Sequence, residues 1–206
     1  MVSYYLDQSN ADAVLPDGQN YLRVDIADGT GLLSGDILFT VSILSPPPIV
    51  PGSNFGIDSF GFNVGPSSIT LTSTNVVDLA AGWAFASNPP SNNQQDGFGR
   101  FEIVTSGTGS SRQDPLTFRG TGVTGDTPSD YAALANVAGN QDSPFFFAAH
   151  LAGFQDVDSG SQEVTSAWFA GSTAVVPVPA AIWLLSSGVI GLLGVARRGR
   201  RSGRSA

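Results

Sequence analysis

Cysteine and lysine are both absent from this 206-residue chain, and histidine and methionine occur once each. Without cysteine there can be no disulfide, thiolate metal site or cysteine nucleophile. The compartment stays open, because exported proteins commonly carry disulfides but do not require them. Without lysine there is no Schiff-base chemistry, and a single histidine, His150, rules out a histidine metal cluster. Charge is scarce too, at 13% of residues, and it is sorted along the chain. Four arginines (Arg23, Arg100, Arg112 and Arg119) stand against seventeen carboxylates between Asp7 and Glu163, so residues 1–180 carry a formal charge of −13. The end of the chain carries +5, from Arg197, Arg198, Arg200, Arg201 and Arg204. An acidic body repels phosphate backbones, so nucleic acid is not an expected partner.

What the chain does have is punctuation. Its 25 glycines and 13 prolines leave little room for long helices. The length and 41% hydrophobic content suit one filled domain with an appendage. Residues 21–26, "YLRVDI", alternate apolar and polar side chains as a half-buried strand does, and "DILFTVSIL" at 36–44 reads as a more deeply buried one. Further strands are expected at 60–64, 69–73, 83–86, 98–105, 116–121, 145–151 and 164–169. Turn-rich loops fall at 45–52, 88–97, 106–115 and 120–128. This pattern predicts an all-β domain over residues 1–174, an antiparallel β-sandwich of jelly-roll-like form. One short helix is expected at 128–137, with Thr127 as N-cap, Pro128 in the first turn and Gly139 beyond the end.

The body offers no catalytic constellation, and neither an enzyme nor a cofactor is expected. No serine lies in a Gly-x-Ser-x-Gly elbow. In "FFFAAHLAGF" at 145–154, alternation places His150 with Phe146 and Ala148, opposite Phe145, Phe147 and Leu151; a structural role is expected for it. Asp156 and Asp158 form the only Asp-x-Asp metal candidate but lack the closing glutamate of a calcium loop, so a plain Asx-rich turn accounts for them. Phe98 and Phe101 in "DGFGRFE", with Trp83, Trp168 and Phe169, could stack on sugar rings if exposed, though aromatics in strands usually belong to a core.

The C-terminus is different in kind. Residues 180–196 carry no formal charge and would span about 26 Å as a helix, near the ~30 Å of a bilayer core. Ile182, Leu184, Leu185, Val189, Ile190, Leu192, Leu193 and Val195 favour insertion, Trp183 suits the headgroup boundary, and Arg197, Arg198, Arg200 and Arg201 mark the cytoplasmic side. A membrane helix over about 179–196 is therefore expected, with residues 1–174 outside the cytoplasm. Pro177 and Pro179 lack N–H groups and bias Val176 and Val178 toward extended backbone, so an extended stretch precedes the helix.

Val176, Pro177, Val178, Pro179 and Ala180, followed by Trp183, the apolar run and Arg197-Arg198, resemble the PEP-CTERM group of C-terminal sorting signals in its VPLPA variant. The chain departs from that variant in having Val178 where leucine is usual. The resemblance is confined to about residues 175–201. It implies a Gram-negative bacterium that secretes exopolysaccharide, and recognition and cleavage near the proline motif by an exosortase, a membrane-embedded cysteine transpeptidase-like enzyme. The protein would sit transiently in the inner membrane and then reach the cell surface or biofilm matrix, where exopolysaccharide is a candidate partner. The start, "MVSYYLDQSN", lacks the basic and apolar regions of a signal peptide. The expectation is that the natural chain begins upstream of Met1. Two functional readings follow: a non-enzymatic surface or matrix protein, or a carbohydrate-binding or carbohydrate-active sandwich held by an uncleaved membrane helix.

Overall fold

The fold is taken from a computed structural model, which describes residues 1–29, 35–65, 69–87, 94–107, 109–134, 145–155, 164–171 and 173–174. The chain divides into two compact units, Met1–Val175 and Val176–Ala206. All of the second unit lies outside the described residues.

The first unit is built from antiparallel strands. They are β1 (Val2–Leu6), β2 (Gln8–Ser9), β3 (Leu22–Asp28), β4 (Ile37–Ile43), β5 (Pro51–Phe62), β6 (Val76–Val77) and β7 (Ala84–Ser87). After these come β8 (Gln94–Gln95), β9 (Gly99–Arg100), β10 (Ile103–Ser106), β11 (Leu116–Gly120), β12 (Phe147–Phe154), β13 (Ser166–Gly171) and β14 (Thr173–Ala174). One six-stranded sheet runs β14-β1-β3-β4-β11-β6 and a second runs β2-β13-β12-β5-β10-β7, with β8 and β9 forming a separate hairpin. The architecture is β-sandwich-like, as the alternation at 21–26 and 36–44 predicts.

Alternation decides what lies between the sheets. Leu22, Val24 and Ile26 of β3, and Ile37, Phe39 and Val41 of β4, are wholly buried. They meet Phe60, Phe62, Phe147, Leu151 and Phe169 of the other sheet in one core. Aromatic rings carry its centre. Phe39 stacks on Phe118 at 4.6 Å and 9°, meets Phe62 at 4.9 Å, and takes the edge of Tyr131 at 5.4 Å. Offset and edge-on pairs of this kind add roughly 0.5–1.5 kcal/mol each beyond the area they bury.

A second, smaller apolar cluster lies on the outer face of the β2–β7 sheet. Val104, Gly61, Ala148 and Ala170 stand side by side across β10, β5, β12 and β13. Their small side chains leave room for Phe98 and Phe101, which are 7% and 1% exposed. A Cβ on Gly61 would come within 3.0 Å of the Phe101 ring, so this glycine is a packing requirement rather than a turn signal.

The two sheets share one seam. β1 pairs in the first sheet and β2 in the second, and β13 and β14 make the reverse crossing alongside them. Asp7 N–H donates to the Ala170 carbonyl at 3.0 Å, tying the crossing together.

Several local expectations need correction. The strand expected at 69–73 is not formed; Leu71 is buried there as a plug, and pairing starts only at β6. The strand expected at 98–105 is divided: Phe98 lies in the turn of the β8–β9 hairpin, where Gly97 has a φ of +86°, and Phe101 and Glu102 separate β9 from β10. β5 begins at Pro51, well before residue 60. The helix expected over 128–137 is a single 3-10 turn, Pro128–Tyr131. Thr127 does stand at the N-cap position, and its N–H and its hydroxyl both donate to Asp130 Oδ2 at 2.8 Å. The turn stops because Tyr131 is drawn into the core, where its hydroxyl donates to Asp126. Residues 135–137 lie outside the described residues.

Candidate functional site

The most developed polar constellation among the described residues forms around a β-bulge where β5 meets β12. His150 stands opposite Ser59, and the next pair is Leu151 with Ile57, so Asp58 is the extra residue of β5. A bulge of this kind re-aims the side chain it carries. Here the Asp58 carboxylate turns to His150, with Nδ1 to Oδ1 at 2.6 Å. The loop after β10 is fastened to the same place. Gln113 exchanges two backbone hydrogen bonds with Ile57, at 2.9 and 3.0 Å, and Gly107 N–H donates to the Asp58 carbonyl at 2.8 Å. This carries Arg112 across the strand, where its Nε donates to Asp58 Oδ2 at 3.2 Å and its Nη1 to the Asn54 carbonyl at 2.9 Å. The imidazole also packs on Trp168 of β13, at 4.6 Å between ring centres and 37°.

Burial alone would raise the pKa of Asp58, but the hydrogen bond and charge of His150, followed by those of Arg112, outweigh it. The carboxyl is therefore held below its ordinary value. A group with a depressed folded pKa stabilises the fold above the unfolded value and loses that contribution as pH falls through the folded one. Asp58→Asn should accordingly cost about 1–3 kcal/mol at pH 7. The gap between the two proteins should narrow below about pH 4, the ordinary range for this carboxyl. Urea unfolding of both proteins at pH 7 and pH 3 measures this; an equal gap at the two values would contradict it.

The cluster thus holds His150 by a hydrogen bond to Asp58 and by packing on Trp168. Its neighbours differ from expectation at one point. Phe146 belongs to the inner core, touching Tyr4 at 5.8 Å, while Phe145 packs on Phe98 at 5.2 Å over the outer face. The alternation extrapolated back from His150 fails there because β12 begins only at Phe147.

The aromatic candidates for sugar stacking are not displayed. Phe98, Phe101 and Phe169 are buried. Trp83 is half-buried, and its indole N–H donates to the Ser111 carbonyl at 2.6 Å. Trp168 is half-buried against His150, and its backbone N–H donates to Asn10 Oδ1 at 2.9 Å. Among the described residues no aromatic side chain is exposed.

Three of the four arginines of this unit are engaged with carboxylates: Arg23 with Asp25, Arg112 with Asp58, and Arg119 with both Asp36 and Asp78. They hold the fold together rather than forming a basic patch. Among the described residues no group of three or more histidine and carboxylate side chains could hold a metal ion; the candidates Asp156 and Asp158 lie outside those residues. The proline motif, the apolar run and the arginine cluster of residues 176–201 lie outside them as well. Among the described residues no helix is long and apolar enough to cross a membrane.

Comparison of the chain with protein-family models, with curated proteins and with solved structures finds no match in any of the three.

Proposed function

We propose that this chain is an exported, non-enzymatic surface or matrix protein of an exopolysaccharide-producing Gram-negative bacterium, delivered by its C-terminal segment. In this reading Val176, Pro177, Val178, Pro179 and Ala180 form the motif that an exosortase recognises and cuts. Residues 179–196 hold the precursor in the inner membrane, and Arg197, Arg198, Arg200 and Arg201 stay in the cytoplasm. The sandwich is then released to the cell surface or the extracellular matrix.

The observation that carries the reading is where the folded body stops. The last strand among the described residues ends at Ala174 and the first compact unit at Val175, immediately before the Val176-Pro177 step. A cut within the motif would leave every strand of the sandwich on one side of it. In this reading the body acts structurally, with its histidine packed on Trp168 and hydrogen-bonded to Asp58 and its described aromatics buried or half-buried. The chain passes between the sheets repeatedly, on both sides of β2, from β4 to β5, on both sides of β6 and of β11, and from β13 to β14. That repeated crossing favours a jelly-roll-like form over two stacked meanders.

The test is a Pro177→Ala/Pro179→Ala double variant, expressed behind a secretory signal peptide in a host carrying an exosortase. Processing should be lost and the protein retained in the membrane fraction. The melting temperature should stay within about 2 °C of the parent, because the changes lie outside the sandwich. Normal release of the double variant would overturn the assignment of the motif.

A further inference from the structure

We infer that the Asp96-Gly97 step is a spontaneous modification site: in the folded protein Asp96 converts to isoaspartate, and the conversion unfastens the β8–β9 hairpin from the outer face of its sheet.

Aspartate followed by glycine is open to this chemistry because no Cβ shields the glycine nitrogen from the neighbouring carboxyl. In its acid form the Asp96 side chain is attacked at Cγ by the Gly97 amide nitrogen. An N–Cγ bond forms, the Cγ–OH bond breaks, and water leaves with the amide proton, giving a cyclic succinimide. Water then opens the ring at either carbonyl. Opening at the original main-chain carbonyl leaves the chain running through Cβ and Cγ, one carbon longer, with the α-carboxylate as the new side chain.

The sequence contains three Asp-Gly steps, at 17–18, 28–29 and 96–97, and the fold treats them differently. Gly18 N–H donates to the Asp7 carbonyl at 2.7 Å, and Asp17 Oδ1 accepts from the Ser9 N–H at 2.9 Å, so both reacting groups are engaged. Gly29 N–H donates to the Asp36 carbonyl at 3.0 Å, and Asp28 is held opposite Ile37 at the end of β3. Asp96 and Gly97 are instead exposed at the tip of the hairpin. Its turn is closed by the Phe98 N–H, which donates to the Gln95 carbonyl at 2.8 Å. That bond spans the step without using the Gly97 N–H. Among the described residues no hydrogen bond engages this N–H or the Asp96 carboxylate. An N–H tied into the fold reacts only from the fraction of molecules that is locally open, whereas a free one has no such cost.

The place of the step gives the conversion an effect. Gln95 pairs with Gly99, which fixes the two ends of the turn. Within it Phe98 is 7% exposed and packs on Phe145 at 5.2 Å, in one cluster with Ala148 and Ala170. The tip also rests against Asn10: a Cβ on Gly97 would stand 3.2 Å from Asn10 Cβ. An added backbone carbon lengthens this turn by about 1.5 Å. The Phe98 N–H is then carried away from the Gln95 carbonyl, and the Phe98 ring is lifted from the cluster.

The test holds the full-length protein near neutral pH for several weeks, folded and in parallel in denaturing urea, and maps isoaspartate at the three steps after digestion. In the folded protein, conversion at Asp96 should run roughly tenfold ahead of that at Asp17 and Asp28. In urea the three should convert at comparable rates. Equal conversion at the three steps in the folded protein, or none at Asp96, would overturn the site. The same lead for Asp96 in urea would assign the difference to local sequence and overturn the structural account. Hydrogen exchange reads the hairpin. The Phe98 N–H should exchange roughly tenfold faster in converted than in fresh protein, and no faster in aged Asp96→Ser, which cannot form the imide. Unchanged exchange after conversion, or the same gain in aged Asp96→Ser, would overturn the release of the hairpin.

Discussion

Phe39→Ala is expected to lower the melting temperature of the sandwich by about 10 °C. Truncating a fully buried phenylalanine costs roughly 3–5 kcal/mol, and each kcal/mol is worth about 2–4 °C in a domain of this size. Phe39 is placed to reach that range. It is wholly buried on β4 and touches Phe62 of the opposite sheet, Phe118 of its own sheet, and Tyr131 of the 3-10 turn. Its removal unsupports three rings at once, and strands on two sides cannot collapse into the space without breaking their ladders. The next residue, Thr40, points to the other face of β4 and is the natural control. Thr40→Ala should stay within about 0.5 kcal/mol of the parent. Thermal unfolding of the two variants side by side measures the difference, and similar values for both would mean that the core is not organised around this stack.

Gly171→Ala should be the most damaging single-methyl change in the described residues. Overpacking typically costs about 1–3 kcal/mol, and the upper end is expected here because the obstacle is backbone rather than a movable side chain. The added Cβ would collide with the Tyr5 carbonyl and stand 3.0 Å from Leu6 Cα. Relief requires β1 to move away from β13, which opens the seam where both strands change sheets. Gly109 is a fitting comparison, since a Cβ there meets nothing closer than an Arg112 nitrogen at 3.8 Å. Gly109→Ala should be close to neutral. Urea midpoints decide between them: a Gly171→Ala midpoint equal to that of Gly109→Ala would show that β1 yields at no cost.

β3, β4 and β11 of the first sheet were legible, because period-two alternation reports directly on a sheet with one buried face, whereas β1, β6 and β14 were not. Leu22, Val24 and Ile26 go in, and Arg23 goes out. The first half of β5 was not legible. "PGSNFG" is the composition of a turn, yet these residues are glycines and small side chains because backbone approaches backbone. A Cβ on Gly52 would lie 2.6 Å from the Gly153 carbonyl, and one on Gly56 would lie 2.9 Å from Arg112 Cβ. Close approach and turning select the same residue, and only the partner strand distinguishes them. The hairpin inside residues 94–104 was hidden for a related reason. Phe98 and Phe101 look like strand aromatics in sequence, but they roof the outside of a sheet rather than fill the inside.

The polar cluster shows the same limit at longer range. His150 was visible as a lone histidine among aromatics. Its partner Asp58 lies 92 residues away and reaches it only through a bulge. One of seventeen carboxylates is singled out by register, which no local pattern encodes. The proline motif and the run that follows it are the reverse case. Their meaning lies in residue order and charge, and they are read from the sequence itself.

The most direct test of the central claim is the intact mass and location of the protein in hosts with and without an exosortase, expressed behind a secretory signal peptide. Only the enzyme-bearing host should yield a released sandwich. Its mass should correspond to a chain ending within residues 176–181, with the arginine-bearing remainder left in the inner membrane. A full-length mass and inner-membrane location in both hosts would contradict the sorting assignment, making residues 176–179 a stalk and the sandwich an anchored ectodomain.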